Sequence, residues 1–121
     1  MHYALLKLSE VFFGICIPPK VKIGRRLVIE HFGPTVIHGL TEIGDDCVIR
    51  QGVTIGNRYH DRPAEAPKLG NRVDVGAGAK ILGGIVIGDD VAIGANAVVL
   101  VDVPSGCTAV GVPARIVAKK R

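Results

Sequence analysis

Aliphatic residues recur every six positions along most of this 121-residue chain. The beat starts at Ile23 and Ile29, slips by two to Ile37, and resumes at Ile43, Ile49 and Ile55. After a gap of fourteen it runs on through Leu69, Val75, Ile81, Ile87, Ile93 and Val99. Glycine follows seven of these twelve aliphatics, and a small or aliphatic residue often stands four places after them, as at Val53, Val73, Ala79, Val91 and Ala97. A period of six is neither the 3.6 of a helix nor the 2 of a lone strand. It is the hexapeptide signature of a parallel β-helix, in which one side chain per beat points inward and stacks on its equivalents in neighbouring coils. Glycine after the inward aliphatic is expected to serve a turn that a Cβ would crowd. The period alone leaves open the handedness and the number of beats per coil.

Composition agrees. Sixteen glycines and few aromatics (three Phe, two Tyr, no Trp) exclude a helical bundle and suit short strands joined by tight turns. The formal charge of +4 is weighted towards Arg115, Lys119, Lys120 and Arg121. The other cations are scattered and no aromatics interleave them, which argues against nucleic acid as a partner. Cys16, Cys47 and Cys107 are odd in number and lack ligand spacing, so the chain has neither a disulfide framework nor a metal site and suits a reducing, cytoplasmic compartment. Residues 1–14 read as a short amphipathic helix with Leu5, Leu8 and Phe12 on one stripe; Lys7 and Glu10 make it a poor signal peptide. No run approaches the ~20 apolar residues of a transmembrane helix. The expected organisation is therefore a helical segment over 1–14 and an all-β domain with a C-terminal tail over 15–121.

In such a repeat the aliphatics and glycines are explained by packing, so the breaks carry the information. One is the slip between Ile29 and Ile37, which holds His31; the other is the excursion Asn57–Pro67, expected as an extended loop near 57–68. Insertions in solenoids emerge at the surface and often build a site.

Four stretches, "KIGRRLVIEHFGPTVIHG", "EIGDDCVIRQGVTIG", "VGAGAKILGGIVIGDDVAIGANAVVLVDVPSG" and "AVGVPARIV", resemble the serine acetyltransferase-like branch of the left-handed parallel β-helix acyltransferases. The likeness covers about residues 14–118, and "EVFFG", "IGRR" and "VTIGNR" look most like colanic-acid and exopolysaccharide acetyltransferases. The resemblance implies a three-sided prism, a homotrimer with active sites between neighbouring prisms, and acetyl transfer from acetyl-CoA to a hydroxyl without a metal.

A hydroxyl needs a base within hydrogen-bond reach to attack a thioester, and neutral imidazole suits the task. The resemblance places His31 at the catalytic histidine and Glu30 at an acidic residue that helps to hold the acceptor. It puts Gly56, Asn57, Ala77 and Ala95 along the groove for the pantetheine arm. Arg115, Lys119 and Lys120 are candidates for the phosphates by charge alone, and His60 and Asp61 for an acceptor site.

Two departures stand out. Cys16 occupies the position of the aspartate that pairs with the histidine in the serine enzymes. Counted forward from "TIG", Glu65 and Ala66 replace an arginine and a histidine that grip the amino-acid acceptor. A carboxylate-bearing acceptor would meet repulsion at Glu65. The reading these features favour is an O-acetyltransferase acting on a polysaccharide sugar or its precursor. Serine O-acetyltransferase is the alternative, and a non-catalytic β-helix scaffold or binding trimer is a third reading.

Overall fold

The computed structural model describes residues 21–30, 34–58 and 65–117, together with the backbone of residues 15–16. The expected helix over 1–14 lies outside the described residues. The chain winds as a left-handed parallel β-helix. Its first coil holds β1 (Ile15–Cys16), β2 (Lys22–Ile23) and β3 (Val28–Glu30); the second, β4 (Thr35–Ile37), β5 (Glu42–Ile43) and β6 (Val48–Arg50). The third holds β7 (Thr54–Gly56), β8 (Lys68–Leu69) and β9 (Asp74–Val75); the fourth, β10 (Lys80–Leu82), β11 (Val86–Ile87) and β12 (Ala92–Ile93). The last passes through β13 (Val98–Val99), a bridge from Val103 to Ile87, and β14 (Thr108–Val110). Then β15 (Arg115–Val117) folds back antiparallel on β14.

Every third strand pairs, so three beats close one coil. The first face of the prism is β1-β4-β7-β10-β13, the second β2-β5-β8-β11, and the third β3-β6-β9-β12-β14-β15. The beat residues are the core. Ile37, Ile55, Ile81 and Val99 line the first face from inside, Ile43, Leu69, Ile87 and Val103 the second, and Ile49, Val75, Ile93 and Ala109 the third, all at most 5% exposed. The residues four places on, Val53, Val73, Ala79, Val91 and Ala97, fill the corners and are equally buried.

A Cβ would crowd these glycines as expected, and the source of the crowding is the next coil. Gly24, Gly44, Gly70 and Gly88 do not carry the left-handed backbone of their corners; that falls two residues later, at Arg26, Asp46, Arg72 and Asp90, with φ between 56° and 59°. The glycines are required because the next coil lies against them. A Cβ at Gly24, Gly44, Gly70 or Gly88 would strike the side-chain oxygen of Asp45, Asn71, Asp89 or Ser105 respectively, and backbone as well. Those oxygens form a ladder up the corner between the second and third faces. The N–H groups of Arg25, Asp45, Asn71 and Asp89 donate to Asp45, Asn71, Asp89 and Ser105 of the coil above, at 2.7–2.9 Å. Beside the ladder, Arg26 pairs with Asp46 and Arg72 with Asp90, each through Nε and Nη2 to both carboxylate oxygens.

Candidate functional site

The slip that holds His31 is visible as a change of register. Glu30 pairs with Arg50, an offset of 20, whereas Val36 pairs with Thr54, an offset of 18. Two extra residues therefore enter the first turn at the corner between the third and first faces. His31 itself lies outside the described residues, between Glu30 at the end of β3 and Pro34, whose C=O accepts the Gly52 N–H at 2.6 Å.

Above this corner the edge of the prism carries small residues in place of the ladder. Ala77 and Ala95 stand there one coil apart, tied by the Asn96 N–H to the Ala77 C=O at 2.8 Å, and below them the Gly78 N–H donates to the Gln51 C=O at 2.9 Å. Ala77 and Ala95 occupy the place in their turns that Asp45, Asn71 and Asp89 occupy at the laddered corner: the residue after the glycine. An alanine has no oxygen to offer the coil below. The Ala77 N–H, beneath Ala95, accordingly makes no hydrogen bond among the described residues, and neither does the Ala95 N–H, beneath Gly111; the two positions are half-buried and exposed respectively. Gly76 has no room for a Cβ, since the Ala95 N and Gly94 C would lie within 2.8 Å of it. This open strip of backbone donors fits the two amides of a pantetheine arm, which need partners in a narrow, side-chain-poor groove.

Glu30 flanks the foot of the strip, half-exposed, with its Oε1 3.3 Å from the Arg50 Nε. Arg50 also pairs with Asp74 through Nη1. The Asp74 carboxylate, with a smaller contribution from Glu30, holds the Arg50 guanidinium pKa above its ordinary value. Sequence reasoning missed Arg50 and Asp74. Nothing in the six-residue beat marks them, because they meet diagonally: Arg50 stands opposite Gly76, which has no side chain, and turns to the next outward position, Asp74.

The remaining expected residues are placed elsewhere or not at all. Gly56 ends β7, buried, at the corner between the first and second faces, and Asn57 follows it half-buried at the root of the 57–67 loop. Lys68, expected at the end of the loop, is already in β8. Glu65 and Ala66 form the other stem of the loop, beside Gly84 and Lys68. His38 at this corner accepts the Leu40 N–H on Nδ1 at 3.3 Å and so serves its own turn. Arg115 opens β15 at the far end of the third face, opposite Val110. The backbone of Cys16 pairs with Val36. His60, Asp61, Lys119 and Lys120 lie outside the described residues. One chain thus gathers Glu30, Ala77 and Ala95 on one edge and carries Gly56 and Asn57 on the next, with the first face between them. Among the described residues no group of three or more His, Cys, Asp or Glu side chains converges to hold a metal ion. No helix there is long and apolar enough to cross a membrane.

Residues 66–100 match the family described as bacterial transferase hexapeptide (six repeats). The serine acetyltransferase of Helicobacter pylori (strain J99) is 54% identical over 118 residues, spanning 98% of this chain and 69% of that protein. That of Synechococcus elongatus is 46% identical over 113 residues, 93% of this chain and 46% of the relative. The soybean serine acetyltransferase apoenzyme superposes with a TM-score of 0.88 at 39% identity, over 94% of this chain and 47% of that one. Of the Synechococcus and soybean proteins the chain therefore spans about half the length.

These relatives overturn the reading of a polysaccharide sugar as acceptor, and they lend no support to a particular likeness to colanic-acid and exopolysaccharide enzymes. The structure shows why one motif misled. In "IGRR", Gly24 makes room for Asp45, the Arg25 N–H donates to Asp45, and Arg26 pairs with Asp46. The motif stitches two coils at the laddered corner and says nothing about an acceptor. The chain belongs to the serine acetyltransferase family of hexapeptide-repeat transferases.

Proposed function

We propose that the protein is an acetyl-CoA-dependent serine O-acetyltransferase of the cytoplasm and that His31 is its general base. The observation that carries this reading is the open edge. Two unpaired backbone N–H groups, at Ala77 and Ala95, rise above the corner where the beat slips to admit His31 and where Glu30 presents a carboxylate. The names of the relatives supply the acceptor and the acyl group. The pantetheine arm lies along the strip with its thioester towards the slip. The serine hydroxyl gives its proton to the His31 imidazole as its oxygen bonds to the thioester carbon. The tetrahedral oxyanion then collapses, and the coenzyme A sulfur leaves with the proton the imidazolium returns. Arg115, Lys119 and Lys120 answer the phosphates, and His60 and Asp61 reach the acceptor from the loop.

The separation of Gly56 and Asn57 from Ala77 and Ala95 on one prism supports a trimer in which the loop edge of one copy faces the open edge of the next. Exposed Val28 on the third face and Val36 on the first, each about 45% accessible, give the faces apolar surface to bury.

The test is thiol release from acetyl-CoA with L-serine, for wild type and His31→Ala. Turnover in the wild type, lower by about 10²–10⁴ in the mutant, is expected for the loss of a general base. Absence of turnover in the wild type, or an undiminished rate in the mutant, would overturn the reading.

A further inference from the structure

We propose that Arg50 is the cation that receives the acceptor's carboxylate, and that the Glu30–Arg50 pair docks a zwitterionic α-amino acid, Glu30 taking its ammonium. The proposal rests on the serine reading above.

Arg26, Arg50 and Arg72 pair with acids across coils, and they are not alike. Arg26 and Arg72 each engage a single aspartate through Nε and Nη2, so both carboxylate oxygens are met and each pair is neutral and closed. Arg50 is shared between two acids. Its Nε faces one oxygen of Glu30 at 3.3 Å and its Nη1 one oxygen of Asp74. Its Nη2 and the second oxygens of both acids meet no side chain among the described residues. The cluster carries one positive and two negative charges, a net of −1 with donors and acceptors still open. A closed pair needs no ligand; an unbalanced one that exposes both signs is complementary to a ligand carrying both.

The placement fits. Glu30 and Arg50 stand directly opposite on adjacent strands, whose backbones lie ~4.8 Å apart. The ammonium and carboxylate of an α-amino acid hang from one carbon, closer together than the two strands, and the Glu30 and Arg50 head groups converge to match, with Oε1 and Nε 3.3 Å apart. Gly76, above Arg50 in register, leaves the guanidinium uncovered on that side, and Arg50 is one-third exposed. Asp74 anchors the guanidinium from the next coil, so it is pre-oriented before a ligand arrives. In sequence Glu30 directly precedes His31, the residue assigned as base.

The test is steady-state kinetics on the full chain with acetyl-CoA and three acceptors: L-serine, L-serinamide (no carboxylate) and 3-hydroxypropionate (no ammonium). In Arg50→Met the KM for L-serine should rise about tenfold to a hundredfold, the range for losing a hydrogen-bonded ion contact. Serinamide kinetics, kcat and the KM for acetyl-CoA should change less than about twofold, a margin well under the worth of one such contact. Arg50→Lys should recover part of the loss, and Glu30→Gln should weaken serine while sparing 3-hydroxypropionate. Arg72→Met, which breaks a closed pair of the same kind, should match wild type. Equal loss with serine and serinamide in Arg50→Met would make Arg50 a structural residue and overturn the proposal. A wild type that turns over none of these acceptors would instead refute the serine reading, and the proposal with it.

Discussion

Gly44→Ala should destabilise this protein far more than a methyl group ordinarily does, and the reason can be worked from the coil above it. The new Cβ would stand 2.5 Å from the Gly70 carbonyl oxygen and against the Asn71 side-chain oxygen, where ordinary contact begins at 3.4 Å. Relief requires the coils to part locally by about 0.9 Å, the difference between those two distances. The Gly44 N–H donates to the Leu69 C=O at 3.0 Å, and an added 0.9 Å carries that bond beyond hydrogen-bond range. The Asp45 N–H to Asn71 Oδ1 bond, at 2.7 Å, is displaced by the same methyl. Two part-buried groups left unpaired cost about 1–3 kcal/mol each, so the loss is about 2–6 kcal/mol, against ~5–15 kcal/mol for a whole domain. Asn71→Ala alone removes only the second bond and should cost about 1–2 kcal/mol. The double mutant decides the cause. If backbone is the obstacle, vacating the Asn71 side chain rescues nothing and the double mutant is as unstable as Gly44→Ala. Urea unfolding followed by circular dichroism, at one fixed protein concentration because assembly contributes, measures all three. A double mutant restored to the level of Asn71→Ala, or a Gly44→Ala cost under about 1 kcal/mol, would refute the contact with backbone as the source of the constraint.

Two further outcomes follow from the corners of the prism. Cys47 is wholly buried, burial pushes its thiol pKa up, and its Sγ donates to the Gly70 C=O at 3.2 Å; in a variant with Cys16 and Cys107 changed to Ser it should react with a thiol reagent only at the rate of unfolding, and fast labelling of the folded protein would contradict this. The hydrogen bond from Arg26 lowers the Asp46 pKa, so the folded carboxyl holds its proton less tightly than the unfolded one. The stabilisation is then complete above the ordinary carboxylate pKa and lost as the pH falls through the folded value. Asp46→Asn should therefore reduce stability at pH 7, and the difference from wild type should shrink as the pH falls below the ordinary carboxylate range; a difference that does not shrink with acid would assign the loss to packing instead.

The inward residues were legible because each beat makes the same demand on its own position: an aliphatic that faces the axis, whatever lies above or below. The slip was legible for the same reason, since two extra residues break a count. What a coil sets beside a given residue was not legible. Thr54 pairs with Val36 eighteen residues back and with Lys80 twenty-six ahead, because the 57–67 loop is spent between β7 and β8. The contacts of Arg50 with Glu30, 20 residues back, and with Asp74, 24 ahead, are invisible until those offsets are known. The polysaccharide reading leaned on Glu65 in the same way, by its place in a loop, and the contact between Arg50 and Glu30 one coil below was out of its reach.

The difference between a closed corner and an open one nevertheless comes down to a single residue per turn, the one after the glycine. Asp45, Asn71 and Asp89 follow Gly44, Gly70 and Gly88; Ala77 and Ala95 follow Gly76 and Gly94. Each of these glycines brings the coil above into contact, so each presents the next residue's N–H to the same place. An Asx or serine side chain from the coil above satisfies that N–H within the fold. An alanine leaves the N–H below it to whatever lies along the edge. A prism of identical beats thereby acquires one open edge and one closed one, and Asp in place of Ala95 would convert the first into the second. Its carboxylate would reach the Ala77 N–H as Asp89 reaches that of Asn71. The strip would then lose a donor to the fold, and the proposed acetyl-CoA site would lose it too.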